Sequence, residues 1–400
     1  MRIDLFRMER TQCLYENVVD YNLSESGVLP LSVEEVLEGA DTTAKFLSLG
    51  LKYPESDGSP ELREHISTWY GARAENVLVT NGGSEANFTT LWGVLEKADH
   101  AAVMLPNYLQ TWGLSRAYAA KTAPFYLVER HENGTEPRWA LDIDGLHRAV
   151  TKKTKLIVVT NPNNPTGAVL TEEEMQEVVR AARRANAWLL VDEIYRGAEI
   201  QGPLTPTFWG RYDKLIITSG LSKAFGLPGL RLGWIVAPAK LIAKLCRYHD
   251  YTTLTPTIVS DRLARIVMEP VRREKTLERT RAIIRRNLPR LEQWIHAHGE
   301  LFSYIPPVAG AITFFRYKLP ISSPALFDRL IKERSVLITP GAHFGLGRYI
   351  RVGYGYDLDY TLRGLARVDL TLEELSRAES KRKAKATRPT ATDSARRGAA

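Results

Sequence analysis

The chain predicts an α/β fold, a three-layer sandwich around a mostly parallel seven-stranded sheet, with a smaller α+β domain attached. Three observations carry this. The middle of the sequence alternates short runs rich in Val, Ile and Leu with helical stretches, and the strand candidates number seven. Strands buried on both faces read as continuous apolar runs of this kind, and helical crossovers between them imply parallel pairing with both faces covered. After about residue 257 the texture changes to a long charged helical region followed by short, spaced strand candidates. The length of 400 residues also exceeds what one core ordinarily serves.

The seven strands are expected at 76–81 (NVLVTN), 100–106 (HAAVMLP), 122–128 (TAPFYLV), 155–161 (KLIVVTN), 188–193 (WLLVDE), 214–219 (KLIITS) and 232–238 (LGWIVAP). Between two of them lies TEEEMQEVVRAARRAN, where Thr171 is placed to cap a helix with Glu174 three positions on. These elements assign residues 41–257 to a large domain. Beyond it, helix is expected over roughly 258–299. Strands are expected near 311–316, 335–338 and 348–353, and a closing amphipathic helix over roughly 358–377. Residues 258–378, with 1–40 packed against them, form the expected small domain.

Composition narrows the function. Hydrophobic content of 44% and charged content of 25% are those of a globular enzyme, and no apolar run is long enough to span a membrane. The start, MRIDLFRMER, does not read as a signal peptide. Cys13 and Cys246 are the only cysteines, which argues against a disulfide framework or a zinc knuckle and fits a cytoplasmic location. No metal site is expected. The net charge of +8 raises the question of nucleic acid, but six of those excess charges fall in the last twenty residues. That segment, within an expected disordered basic tail at 379–400, has no apolar period and cannot bury a core. The folded part is near neutral, so neither a nucleic-acid nor a membrane partner is expected.

In an open α/β sheet, ligands gather at the carboxyl ends of the strands, and the polar clusters of this sequence fall there. Asn81-Gly82-Gly83-Ser84-Glu85 follows the first strand and opens a helix, a turn suited to an anion, with Gly83 and Ser84 as candidate donors. It is neither GxGxxG nor a P-loop. Asn161-Pro-Asn-Asn-Pro-Thr-Gly167 makes a rigid turn that holds Asn163 and Asn164 at the ligand edge. Asp192 and Glu193 end another strand. Adjacent strand residues point to opposite faces, so only one can address a ligand, and a protonated ring nitrogen would partner a buried acid there. Tyr195 follows closely. Thr218-Ser219-Gly220-Leu221-Ser222-Lys223, with Arg231 eight residues on, suggests a phosphate pocket of Ser222 and Arg231. Beside it would stand an amine whose pKa is lowered by desolvation and a neighbouring cation. Each cluster alone has an ordinary structural reading as a turn or surface feature.

NPNNPTG, VDEIYRG and SKAFGLPGLRLGW, in this order and spacing, resemble the class I/II (aspartate) aminotransferase superfamily of fold-type I pyridoxal-phosphate enzymes. The resemblance covers roughly residues 20–378. It implies pyridoxal 5′-phosphate as cofactor, with Lys223 bonded to it and acting in catalysis with Asp192 and Tyr195. Asp192 would face the pyridinium nitrogen, and Asn164 and Tyr195 the phenolic oxygen. Gly83, Ser84, Ser222 and Arg231 would hold the phosphate, and Tyr108 would stack on the ring. Tyr53 would reach the phosphate of a neighbouring subunit, implying a homodimer. Arg351, with Asn164 and Gly27, would bind the substrate, an amino acid exchanging its amino group with a 2-oxo acid. Gly220 stands where many relatives have a serine. The loop Thr252–Thr257 lacks the arginine that dicarboxylate-specific relatives offer. SESGV, GLPGLRLGW and HDYTTLTP bring the chain nearest the branch containing capreomycidine synthase, which implies an alternative: a lyase or cyclase acting on a hydroxylated arginine.

Overall fold

A computed structural model describes residues 3–131, 134 and 136–386. The chain opens with a helix at Arg7–Tyr15 and a two-residue strand, β1 (Tyr21–Asn22). Eight strands then build the large sheet: β2 (Val77–Thr80), β3 (His100–Leu105), β4 (Lys121–Arg130), β5 (Arg138–Leu141), β6 (Thr154–Thr160), β7 (Trp188–Asp192), β8 (Leu215–Gly220) and β9 (Gly233–Val236). Their order across the sheet is β2-β9-β8-β7-β6-β3-β4-β5. The central pairs β8–β7, β7–β6, β6–β3 and β3–β4 are parallel, while β2–β9, β9–β8 and β4–β5 are antiparallel.

All seven expected strands are present. The eighth, β5, is a four-residue edge strand whose sequence, RWAL, is too short to carry a periodic signal. It is pinned by Glu174, whose Oε1 accepts from the Leu141 N–H at 3.0 Å and pairs with Arg138 at 2.9 Å. The same Glu174 closes the capping box with Thr171.

Strand alternation explains the three layers. Val77, Val79, Ile157, Val159, Leu189, Val191, Leu215 and Ile217 belong to one apolar cluster; Leu78, Leu156, Val158, Leu190 and Ile216 belong to another. The first face is covered by helices at Pro60–Tyr70, Glu172–Ala185 and Ile258–Met268, the second by Gly83–Val94, Gln110–Tyr118 and Ala239–His249.

The small domain centres on β10 (Phe302–Tyr304), β11 (Ile312–Tyr317), β13 (Thr339–Pro340) and β14 (Tyr349–Gly353), antiparallel in the order β10-β11-β14-β13. β12 (Val336–Leu337) pairs in parallel with β1 and ties the N-terminal segment to this domain. The expected helix over 258–299 is two helices, Ile258–Met268 and Pro270–Ala297. Proline without its N–H starts a helix well and continues one poorly. The domain change expected at 257 falls later, because Leu263, Ala264 and Met268 pack into the large-domain core. The crossover lies inside the second helix, where Leu277 joins the large core and Ile284, Leu288, Leu291 and Ile295 join the small one. The first 40 residues also divide. Met8 packs into the large-domain core and Leu23 into the small-domain core.

The last helix runs from Leu358 to Ala386, so the beginning of the expected tail is helical; residues 387–400 lie outside the described residues. The stretch KRKAKA has no apolar period, yet Ala, Lys and Arg are strong helix formers and extend a helix already nucleated on the core. Among the described residues, no helix is long and apolar enough to cross a membrane, and no cluster of His, Cys, Asp or Glu could hold a metal ion.

Candidate active site

The carboxyl ends of β6, β7 and β8 open onto a cavity of about 260 Å³. Its walls include Gly83, Ser84, Tyr108, Asn164, Asp192, Tyr195, Ser222, Lys223 and Arg231. Nine residues expected at the site from sequence therefore share one cavity, although they span nearly 150 positions.

The anion-binding end is built from backbone packing. Gly82, at φ 90°, caps the helix Gly83–Val94, and a Cβ there would stand 2.7 Å from the Arg231 Nη2. Only glycine combines that φ with so close a guanidinium. Arg231 is itself left-handed at φ 47°, and its Nη1 donates to Pro228 O at 2.9 Å and reaches Ser222 Oγ at 3.4 Å. Helix N–H groups, Ser84, Ser222 and a guanidinium thus converge as a phosphate requires. The missing serine at position 220 has a steric cause. Gly220 pairs with Gly233 across β8 and β9, and a Cβ on it would lie 2.8 Å from Leu232 O and 3.0 Å from Gly233 Cα.

Asp192 ends β7 and is almost fully buried. Its Oδ1 accepts from the Ile194 N–H at 3.0 Å and its Oδ2 from Asn87 Nδ2 at 3.1 Å. Thr218 Oγ1 donates to Asn87 Oδ1 at 2.7 Å, which fixes the amide the right way round. Burial nevertheless pushes the Asp192 carboxyl up to about 6, against those two hydrogen bonds. A buried acid held at the ligand face but costly to ionise fits a cationic ring nitrogen. Glu193 points away, accepting from the Phe208 N–H and the Thr207 hydroxyl, both at 2.9 Å.

Tyr195 is 2% exposed and, among the described residues, its hydroxyl has no hydrogen-bond partner. A buried phenol that lines a cavity unpaired is set for a ligand oxygen. In the Asn-Pro turn the two central asparagines part company. Asn163 ties its own loop to the end of β3, accepting from Thr166 Oγ1 at 2.7 Å and donating to Pro106 O at 3.2 Å, so it is structural. Asn164 lines the cavity, and its Oδ1 accepts from Arg351 Nη1 at 2.9 Å across the domain boundary. Arg351, on β14, is 1% exposed; Nη2 donates to Ser24 O at 2.6 Å and to Thr339 Oγ1 at 3.1 Å, while Nε has no hydrogen-bond partner among the described residues. Gly27 backs the lysine: a Cβ there would sit 3.2 Å from Ser222 O and 3.7 Å from Lys223 Cδ.

The charge state expected for Lys223 is reversed. Burial alone lowers its pKa, but Glu25 overrides that and the net direction is upward. Glu25 Oε1 accepts from Lys223 Nζ at 2.9 Å, and this pairing holds the Glu25 carboxyl down at about 2. Sequence reasoning also missed Glu9, Asn87 and Thr160, all of which line the cavity. Asn87 carried a readable signal, since it lies one turn beyond Ser84 on the same helix. Glu9 and Glu25 carried none, arriving from the N-terminal segment. Tyr108 lines the cavity and is held by the N-terminal helix segment, donating to Glu9 Oε1 at 2.8 Å and meeting Phe6 edge-on at 4.9 Å. Tyr53 does not line the cavity and is 83% exposed.

Known proteins resemble this chain over most of its length. The model for aminotransferase class I and II matches residues 22–368. Capreomycidine synthase of Streptomyces vinaceus is 31% identical over 292 residues, 73% of either chain. An aspartate aminotransferase of Streptomyces avermitilis is 28% identical over 344 residues, 81% of this chain and 82% of its own. Among solved structures, a PLP-dependent aminotransferase from Streptococcus suis superposes with a TM-score of 0.86 at 30% identity, covering 94% of this chain and 99% of its own. The PLP-dependent cyclase OrfR superposes at 0.81 with 26% identity, over 92% and 97%. The chain belongs to the class I and II aminotransferases and is a pyridoxal-phosphate-dependent enzyme.

Proposed function

We propose that the enzyme moves the α-amino group of an L-amino acid to a 2-oxo acid, with Lys223 as the proton-transfer residue. The observation that carries this is the convergence of Lys223, Asp192, Tyr195 and the Gly83–Ser84–Ser222–Arg231 cradle on one cavity. Pyridoxal phosphate, when bound, supplies an electron sink for the charge left by loss of the α-proton. Gly83, Ser84, Ser222 and Arg231 hold its phosphate, and Asp192, oriented by Asn87, keeps its ring nitrogen protonated. Asn164 and Tyr195 address its phenolic oxygen. Tyr108 packs beside the ring. Arg351 receives the substrate carboxylate, with Gly27 leaving room beside the lysine. With its amine free, Lys223 would take the substrate α-proton at Nζ as general base and, as general acid, would return that same proton from Nζ to the cofactor's side of the amino-group linkage.

A homodimer belongs to this reading, because exposed Tyr53 would serve a partner's cavity. Leu47 and Leu51, 77% and 80% exposed, offer apolar surface beside it. Sedimentation would reveal the dimer, and a monomer at micromolar concentration would refute it. The cytoplasm is the proposed compartment. The reaction is tested by mixing cofactor-loaded protein with single amino acids and following loss of the absorbance of the lysine-bound cofactor, together with 2-oxo acid by mass spectrometry. Absence of both with every donor would refute transamination.

The likeness to capreomycidine synthase and to a PLP-dependent cyclase supports a second reading, elimination and ring closure on a hydroxylated arginine. It begins with the same proton removal by Lys223. Product analysis with 3-hydroxyarginine distinguishes the two.

A further inference from the structure

The turn Asn81–Glu85 ends in a carboxylate that the proton transfer does not use. Gly83 and Ser84 line the cavity from this turn, whereas Asn81, Glu85, His249 and Thr253 do not. A carboxylate within one turn of an anion site weakens the positive potential there, so its presence calls for a compensating role. Helix capping supplies one. A Cβ at position 82 would meet Arg231, and the glycine there has no side chain with which to cap the helix. Glu85, in the first turn, folds back instead, and its Oε2 accepts from the Asn81 N–H at 2.5 Å. This is the backward half of a capping box, reaching one residue further than usual.

The same carboxylate reaches a loop some 170 positions away. Its Oε1 accepts from the Thr253 hydroxyl at 2.8 Å, and Nε2 of buried His249 stands 3.5 Å from Oε2. Asn81 Nδ2 donates to Thr253 Oγ1 at 2.6 Å and to Thr255 O at 3.0 Å. Burial pushes the Glu85 carboxyl up, but hydrogen bonds from His249, Thr252, Asn81 and Thr253 outweigh it and hold it down at about 2. His249 ends a helix pressed against Gly83–Val94, where a Cβ on Gly93 would lie 2.5 Å from Leu245 Cδ2. The loop thus leaves a fixed point and is bonded to the turn at Thr253 and Thr255. Leu254, between those two, is left-handed at φ 67°. Leucine keeps that conformation only where its surroundings impose it.

We propose that Glu85 is a positioning residue for the cofactor phosphate. Through Asn81 and Thr253 it locks the loop after His249 to the turn that presents the Gly83 and Ser84 N–H groups, so that loop order and phosphate binding are coupled. This rests on the reading of Gly83, Ser84, Ser222 and Arg231 as the phosphate cradle. The coupling is reciprocal: a phosphate that orders the turn also steadies the loop.

The test measures dissociation constants of the full-length, cofactor-free protein for pyridoxal 5′-phosphate and for pyridoxal, which lacks the phosphate, by absorbance titration. A group that acts through the phosphate changes the ratio of the two constants, whereas general damage to the fold weakens both alike. Arg231→Ala, Glu85→Ala and Thr253→Val are compared with the unmodified protein. Arg231→Ala is expected to reduce the preference for the phosphorylated form about 10- to 100-fold, and each of the other two about 10-fold. Amide hydrogen exchange in residues 250–257 is expected to slow on adding pyridoxal 5′-phosphate and not on adding pyridoxal. An unchanged ratio in Arg231→Ala would overturn the cradle and the proposal with it. A ratio that falls in Arg231→Ala but holds in Glu85→Ala or Thr253→Val would leave the cradle standing and overturn the role of Glu85. Loop exchange indifferent to the phosphate would do the same.

Discussion

Asp192 links the chemistry of the site to the stability of the fold. Its carboxyl is raised from 3.8 to about 6 because it is buried, and the bonds from Asn87 and Ile194 only partly compensate. Ionising it in the cofactor-free protein costs about 3 kcal/mol, at about 1.36 kcal/mol per tenfold change in proton affinity. The sign follows from linkage. A group whose pKa is raised on folding lends stability that is complete below its unfolded value and is lost as pH rises through its folded value. For Asp192 that loss runs from about pH 4 to just above pH 6.

The perturbation is Asp192→Asn, and the assay is chemical denaturation of the cofactor-free protein from pH 4 to 7.5. Asparagine places an amide donor opposite one of the two N–H donors that now serve the carboxylate, which lowers stability by a roughly constant amount. The information lies in the pH dependence. The stability of the unmodified protein minus that of the variant is expected to fall by about 2 kcal/mol across this range. Glu193, raised to about 7 by burial, titrates in both proteins and largely drops out of the difference. In cofactor-loaded protein the fall should disappear, because the carboxylate gains a cationic partner. A difference that is flat with pH, or grows with it, would refute the placement of Asp192 as a costly buried acid awaiting a cation.

Three further outcomes are expected. Lys223→Ala should leave the cofactor bound only noncovalently, seen as loss of its lysine-bound absorbance, and should lower turnover on the order of 10²- to 10⁴-fold. Arg351→Lys keeps the charge but loses the fork that spans Asn164, Ser24 and Thr339. The KM for the amino donor should rise by about 10- to 100-fold with a smaller change in kcat, read from half-reaction kinetics. Gly220→Ala forces a Cβ against Leu232 O and Gly233 Cα and should cost about 1–3 kcal/mol in denaturant unfolding, while an added serine hydroxyl at this position should not strengthen cofactor binding.

What was legible in the sequence follows from where the physics is local. Strands buried on both faces need unbroken apolar runs, so β6, β7 and β8 stood out, and the polar residues at their ends marked the site. Asn164, Asp192, Tyr195, Ser222, Lys223 and Arg231 all lie within a few residues of such an end or the turn that follows. The charge of Lys223 was misjudged because its partner Glu25 stands 198 positions away, on a segment anchored by a strand of only two residues. No periodicity announces such a strand. Glu9 was hidden for the same reason. The identity of Gly220 was plain, but its cause required knowing that Gly233 lies opposite it in an antiparallel pair. The domain crossover was misplaced because a change of texture at 257 coincides with a turn between helices, whereas the cores divide several turns later.

The helix Pro270–Ala297 has a mechanical consequence. At about 1.5 Å per residue it is a rod about 42 Å long, with one end embedded in each core. Between Leu277 and Ile283, where it leaves one core for the other, the sequence Glu278-Arg279-Thr280-Arg281-Ala282 contains no glycine or proline to bend it. Pro289, where a kink would be easy, lies wholly within the small domain. A swing of one domain against the other must therefore flex an unbroken rod, whose elastic resistance grows with the angle. Such a rod would oppose any separation of Arg351 from Asn164, whose side chains meet at 2.9 Å across the two halves of the cavity.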